Sequence, residues 1–128
     1  MNEYSVLMTV YQKDNPEYFL QALNSMINQT IKPDEIVLVK DGEITKELQE
    51  VIDEKKKEFN KIIEVNLSKN VGLGLALNEG MQICKNELIA RMDADDISLP
   101  NRCEEQLKIF VNNKDVDIVG CHVKEFDR

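Results

Sequence analysis

Apolar residues along this chain fall into two alternating kinds of grouping. The first is a set of short, nearly unbroken runs: Ser5-Val6-Leu7-Met8-Thr9-Val10, Glu35-Ile36-Val37-Leu38-Val39, Ile62-Ile63-Glu64-Val65-Asn66-Leu67 and Leu88-Ile89-Ala90-Arg91-Met92. Runs of this length read as strands, and near-continuous apolar ones as strands covered on both faces. The second kind is a stripe at spacings of three and four, which predicts an amphipathic helix. Phe19, Leu20, Leu23, Met26 and Ile27 form one; Leu48, Val51, Ile52 and Phe59 a second. Leu73, Ala76, Leu77, Gly80 and Cys84 form a third, and Cys103, Leu107, Phe110 and Val111 a fourth. The punctuation agrees: Asn15-Pro16, a region near Thr45, and Pro100 open helices, while Lys32-Pro33 breaks the chain. A last run, Asp117-Ile118-Val119-Gly120-Cys121-His122-Val123, predicts a fifth strand. Strand alternating with helix predicts an α/β, Rossmann-like fold, a mainly parallel sheet with helices on both faces.

In such a sheet, ligands sit beyond the carboxyl ends of the strands. Tyr11, Asp41, Asn70 and the acids from Asp93 to Asp96 each follow one of the four strands, so the topology gathers them on one edge. Asp41-Gly42 has the composition of a turn and is expected in an exposed loop. Asp93-Ala94-Asp95-Asp96 is the strongest chemical signal. Unit charges about 4 Å apart repel by roughly 4 kcal/mol at an effective dielectric of 20, so a cation, a proton or water must compensate. Carboxylate oxygens suit Mg2+, Mn2+ or Ca2+.

Composition narrows the field. With 128 residues, 42% hydrophobic and 31% charged, the chain is one globular domain. A net charge of −8 excludes nucleic acid as a partner, since phosphate backbones need a basic surface. A phosphate-bearing ligand would need a metal or local cations, for which Lys13, Lys40, Lys69, Arg91 and Arg102 are candidates. Cys84, Cys103 and Cys121 lack zinc or redox spacing and read as reduced, mostly core thiols. His122, the one histidine, reads as structural, which gives histidine-based triads little support. No apolar run approaches a membrane span, and Met1-Asn2-Glu3-Tyr4-Ser5 lacks a basic leader, so a soluble, cytoplasmic chain is expected.

Several motifs fail. Gly72-Leu73-Gly74 resembles a dinucleotide fingerprint, but Leu77 stands at the third glycine and the pair follows the third strand. A P-loop is absent, and a calcium loop from Asp93 breaks at Ile97 and Ser98. Asp93-x-Asp95 as an aspartyl-phosphate phosphohydrolase remains open, as does a non-enzymatic metal-binding α/β module.

Taken together, Val10-Tyr11, Ser25-x-x-x-Gln29-Thr30, Glu35-Ile36-Val37-Leu38-Val39-x-Asp41-Gly42, Asn70-x-Gly72, Ala76-x-Asn78-x-Gly80, Ile89-Ala90-Arg91-Met92-Asp93-x-Asp95-Asp96 and Pro100-x-Arg102-x-x-x-Gln106 resemble family 2 glycosyltransferases of the GT-A fold. The likeness covers nearly the whole chain in order, and looks most like bacterial enzymes of capsule or lipopolysaccharide synthesis. It implies transfer of a sugar from a nucleoside-diphosphate sugar, UDP-linked by expectation, to a saccharide or lipid-linked acceptor. By this resemblance Thr9 and Tyr11 line the base pocket, Asp41 accepts a hydrogen bond from the base, and Asn70 holds that loop or the nucleotide. Asp93 contacts ribose and, with Asp95, holds Mn2+ or Mg2+ in a DxD element; Arg91 and Arg102 are candidates to pair with the diphosphate or with a carboxylate. The base that deprotonates the acceptor is expected beyond Arg128, which makes residues 1–128 the nucleotide-sugar-binding part, truncated before the acceptor half. For the full-length enzyme, the resemblance also implies peripheral association with the inner face of the membrane.

Overall fold

The computed structural model describes residues 3–126. Met1 and Asn2, part of the segment read as lacking a leader, lie outside them. The elements run β1 (Ser5–Val10), α1 (Pro16–Ile27), β2 (Glu35–Lys40), α2 (Lys46–Glu58), β3 (Ile62–Asn66), α3 (Leu73–Ile83), β4 (Ile89–Met92) and α4 (Arg102–Asn112). The helix starts follow from their caps. The Asn15 side chain accepts the N–H groups of Glu17 and Tyr18 ahead of Pro16, and Thr45 Oγ1 accepts the Leu48 N–H.

The four strands form one parallel sheet in the order β3-β2-β1-β4. Alternation along the strands builds two separate cores. Val6, Met8, Val10, Ile36 and Leu38 face α1, α2 and α4 through Phe19, Leu23, Met26, Leu48, Ile52, Cys103 and Leu107. Leu7, Val37 and Val39 face the other way, onto Ala76 of α3. Gly80 makes that second contact close. A Cβ there would lie 2.7 Å from Val39 Cγ2 and overlap Leu7 Cδ1, so α3 seats directly on the sheet.

A lateral lock joins α2 to the sheet. Lys40 Nζ donates to Gln49 Oε1 (2.9 Å) and Glu64 Oε1 (3.1 Å), and Lys56 Nζ donates to Glu64 Oε2 (2.8 Å). Burial alone would raise the Glu64 carboxyl. The hydrogen bonds from Lys56, Gln49 and Lys40 and the Lys40 charge outweigh it and draw the pKa down to about 2.

The fifth strand is not formed. Residues 117–123 carry no strand, and Ile118 and Val123 are 88% and 85% exposed. The segment runs beside β4 instead, where Asp117 to Val119 line a cleft of about 260 Å³ with Leu88–Arg91 and with Gln106 and Phe110 of α4. An apolar run becomes a strand only when its backbone groups find a ladder, and this one has none among the described residues. The thiols also depart from expectation. Cys103 is buried, Cys84 half-buried and Cys121 exposed. His122 is exposed in the same unpaired segment.

Candidate functional site

The chain runs outward from β1 to β2 to β3, then returns to place β4 on the other side of β1. The reversal falls between β1 and β4, whose register pairs Met8 with Met92, so Asp93 leaves the sheet level with Thr9 and Tyr11 follows two residues further on along the same edge. Asp41 leaves β2 on the other flank of β1, its N–H donating to Val10 O (2.8 Å).

Asp93, Asp95 and Asp96 are exposed, and their carboxylates offer oxygens all within 4.8 Å of one another. Buried Ala94 and Met92 root the loop in the core, which turns the acids outward. Arg91 Nη2 lies 3.5 Å from Asp93 Oδ1 and offsets part of the charge. Asp14, which the sequence pattern did not single out, belongs to the same field. Burial raises its carboxyl, the Tyr11 N–H that it accepts (2.9 Å) opposes the rise, and the charges of Asp95 and Asp93 raise it further. Its signal was its place in the β1–α1 loop, three residues after Tyr11 on the edge already under suspicion.

The second half of the site is a cleft of about 230 Å³ lined by Gln12, Asp41, Gly42, Glu43, Ser68 and Asn70. Asp41 is not an exposed turn residue, as its Asp-Gly pairing suggested, but only 6% exposed. Its Oδ1 accepts the Val71 N–H (2.7 Å) and its Oδ2 the Gly72 N–H (3.2 Å), while Asn70 Nδ2 reaches Asp41 O at 3.4 Å. The turn and the loop before α3 are thus one unit. Gly42 at φ 86° completes it, since a Cβ there would stand 2.8 Å from Asn70 N.

The cations divide. Arg91 is exposed beside the acids, whereas Lys40 is engaged by Glu64. Arg102 turns inward: its guanidinium donates to Arg91 O (2.9 Å), Ser98 Oγ (3.1 Å) and Gln106 Oε1 (3.1 Å). That geometry makes it a clamp on the acidic loop rather than a cation open to a diphosphate. Thr9 is half-buried within β1, and Tyr11 is 38% exposed at its end.

Comparison with known proteins decides the family. The profile described as glycosyl transferase family 2 matches residues 5–128. The chain belongs to that family. It is 42% identical over 125 residues to the UDP-Gal:alpha-D-GlcNAc-diphosphoundecaprenol beta-1,3-galactosyltransferase of Escherichia coli, covering 98% of this chain and 45% of that protein. It is 43% identical over 124 residues to the amylovoran biosynthesis glycosyltransferase AmsE of Erwinia amylovora, covering 97% and 46%. This family 2 chain therefore spans about half the length of the curated relatives it matches. Among solved structures, S. aureus TarS 1-349 in complex with UDP superposes with a TM-score of 0.74 at 24% identity, over 88% of this chain and 33% of that one. The mannosyltransferase PcManGT of Pyrobaculum calidifontis, in complex with GDP-Man and Mn2+, gives 0.64 at 18%, over 73% and 28%. These likenesses establish the GT-A fold for the family 2 chain. Membership in a glycosyltransferase family runs against the aspartyl-phosphate reading.

Proposed function

We propose that this chain forms the donor-binding part of a glycosyltransferase that takes a sugar from a nucleoside diphosphate, UDP in the first instance, for bacterial surface-polysaccharide synthesis. The observation that carries the reading is the meeting of three exposed carboxylates, within 4.8 Å of one another, with the reversal point of a parallel sheet. Beside it lies the cleft floored by Asp41 and Asn70. The printed names of the relatives support the donor class, since one uses UDP-Gal and a neighbour was captured with UDP.

The residues present fit a divalent cation. Their oxygens are hard, clustered and exposed, and their repulsion is felt as far as Asp14. Asp93 and Asp95 would hold Mn2+ or Mg2+, which supplies positive charge to the departing diphosphate when bound. Tyr11, 38% exposed at the end of β1, would offer a face for the base, and Asp41 fixes the loop before α3 by accepting the Val71 and Gly72 N–H groups. Arg91 stands where a cation can steady a diphosphate. Acceptor binding and the base that deprotonates it are assigned to the part of such enzymes that this chain does not span.

A thermal-shift titration tests the reading with UDP alone, Mn2+ alone, both and neither. The pair should raise Tm well beyond the sum of the separate effects, because metal and diphosphate each relieve the other's repulsion in an acidic protein. Equal stabilisation by UDP with and without metal would remove the metal from the proposal, and no effect of either would remove the nucleotide.

A further inference from the structure

The patterns Ser25-x-x-x-Gln29-Thr30 and Pro100-x-Arg102-x-x-x-Gln106 take no part in the nucleotide cleft, yet the fold brings both to one place beneath the acidic loop. Residues 93–101 contain no helix or strand, and the backbone bond from Asp96 N–H to Asp93 O within the acidic turn is long at 3.4 Å. The support comes from the end of α1, some seventy residues away in sequence. Gln29 is 2% exposed. Its Nε2 donates to Leu99 O (2.8 Å) and Ser25 O (2.9 Å), and its Oε1 accepts the Cys103 N–H (2.9 Å). Ser25 Oγ accepts the Ser98 N–H (3.1 Å), and Thr30 N donates to Pro100 O (2.8 Å). From the other side, Arg102 ties Arg91 O, just before the acids, to Ser98 Oγ, just after them.

We infer that Gln29 and Arg102 are positioning residues for Asp93 and Asp95: together they bridge both ends of the acidic loop and set its carboxylates for the cation and diphosphate. The inference deepens the proposed donor-binding role and rests on it for its ligand. Buried amides suit the task. A glutamine offers donor and acceptor at once, so one side chain fixes the Leu99 carbonyl and the Cys103 N–H on either side of Pro100. Supports one layer behind metal ligands govern affinity because the ligands' own geometry depends on them.

Gln29→Met keeps length and apolar bulk while removing the three hydrogen bonds, and Ile52→Ala, deep in the α2 core, serves as a destabilised control. Amide hydrogen exchange is read at Asp96 and Ser98, whose N–H groups bond within this loop and to Ser25. Calorimetry of UDP with Mn2+ is read in parallel. In Gln29→Met, exchange at both amides should quicken and affinity should fall by about tenfold or more, the scale seen for lost second-layer supports. Ile52→Ala should leave the loop amides in step with its global stability and the affinity near that of the parent. If Gln29→Met fails to fold, Arg102→Lys, which keeps the charge but not the fork, should release the same two amides. Unchanged exchange at Asp96 and Ser98 in a folded variant overturns the inference, as does an equal affinity loss in Ile52→Ala. A parent chain that binds no UDP with Mn2+ overturns the donor-binding reading instead, and the exchange data still decide the positioning role.

Discussion

Asp41 Oδ1 accepts the Val71 N–H at 2.7 Å, across thirty positions of sequence, and so joins the end of β2 to the start of α3. A carboxylate that takes two backbone N–H groups from one loop shapes that loop as much as any ligand it meets.

Asp41→Asn should therefore cost stability as well as nucleotide affinity. The amide retains one oxygen and turns an NH2 group toward a backbone donor, a loss of about 1–3 kcal/mol for a buried hydrogen bond to a charge. Chemical denaturation should show the drop, and calorimetry a roughly tenfold to hundredfold weaker UDP complex by the same energy scale. Unaltered stability would mean that the Val71 and Gly72 contacts contribute nothing.

Asp95→Ala should behave in the opposite way. Asp95 is exposed among like charges, so its removal leaves Tm of the bare chain unchanged or slightly higher. The extra stabilisation that Mn2+ brings to UDP should disappear. Retention of the full metal effect would show that the ion sits elsewhere.

Gly80→Ala tests the seat of α3. A methyl group at that position overlaps Leu7 Cδ1 and lies 2.7 Å from Val39 Cγ2, in a core with no slack. Overpacking of this kind costs about 1–3 kcal/mol, against the gain in helix propensity that alanine normally brings. Thermal denaturation gives the sign.

The Glu64 network predicts an acid-sensitive contribution to stability. Its carboxyl is drawn from an ordinary 4.5 to about 2, so the stabilisation is complete above pH 4.5 and is lost as pH falls toward 2. Allowing for partial exposure, the loss is about 1–2 kcal/mol. In Glu64→Gln the pH dependence across that window should shrink, as followed by urea denaturation at stepped pH.

Residues 1–128 span 45% of the galactosyltransferase relative, and the proposal of a donor-binding part predicts that they bind donor without transferring sugar. A radiolabelled-donor assay with a lipid-linked acceptor checks this. Robust transfer would place the base within this chain, with Glu104, Glu105 and Asp117 the first residues to test.

The alternation of apolar runs and stripes was enough to locate four strands and four helices, because strand and helix periods follow from backbone geometry that every residue shares. It also located the site edge. A parallel sheet must put all its carboxyl ends on one side, so Tyr11, Asp41, Asn70 and Asp93 could be gathered without coordinates. What pattern could not show was which polar groups face inward. Asp41 reads as a turn residue until Val71 and Gly72 donate to it, and Arg102 as an open cation until it closes on Arg91 O and Ser98 Oγ. The run from Asp117 to Val123 has a strand's composition but no ladder, and a ladder is a property of two segments rather than one. Local periodicity is written in neighbouring residues; hydrogen-bond partners thirty or seventy positions apart are set only when the chain packs.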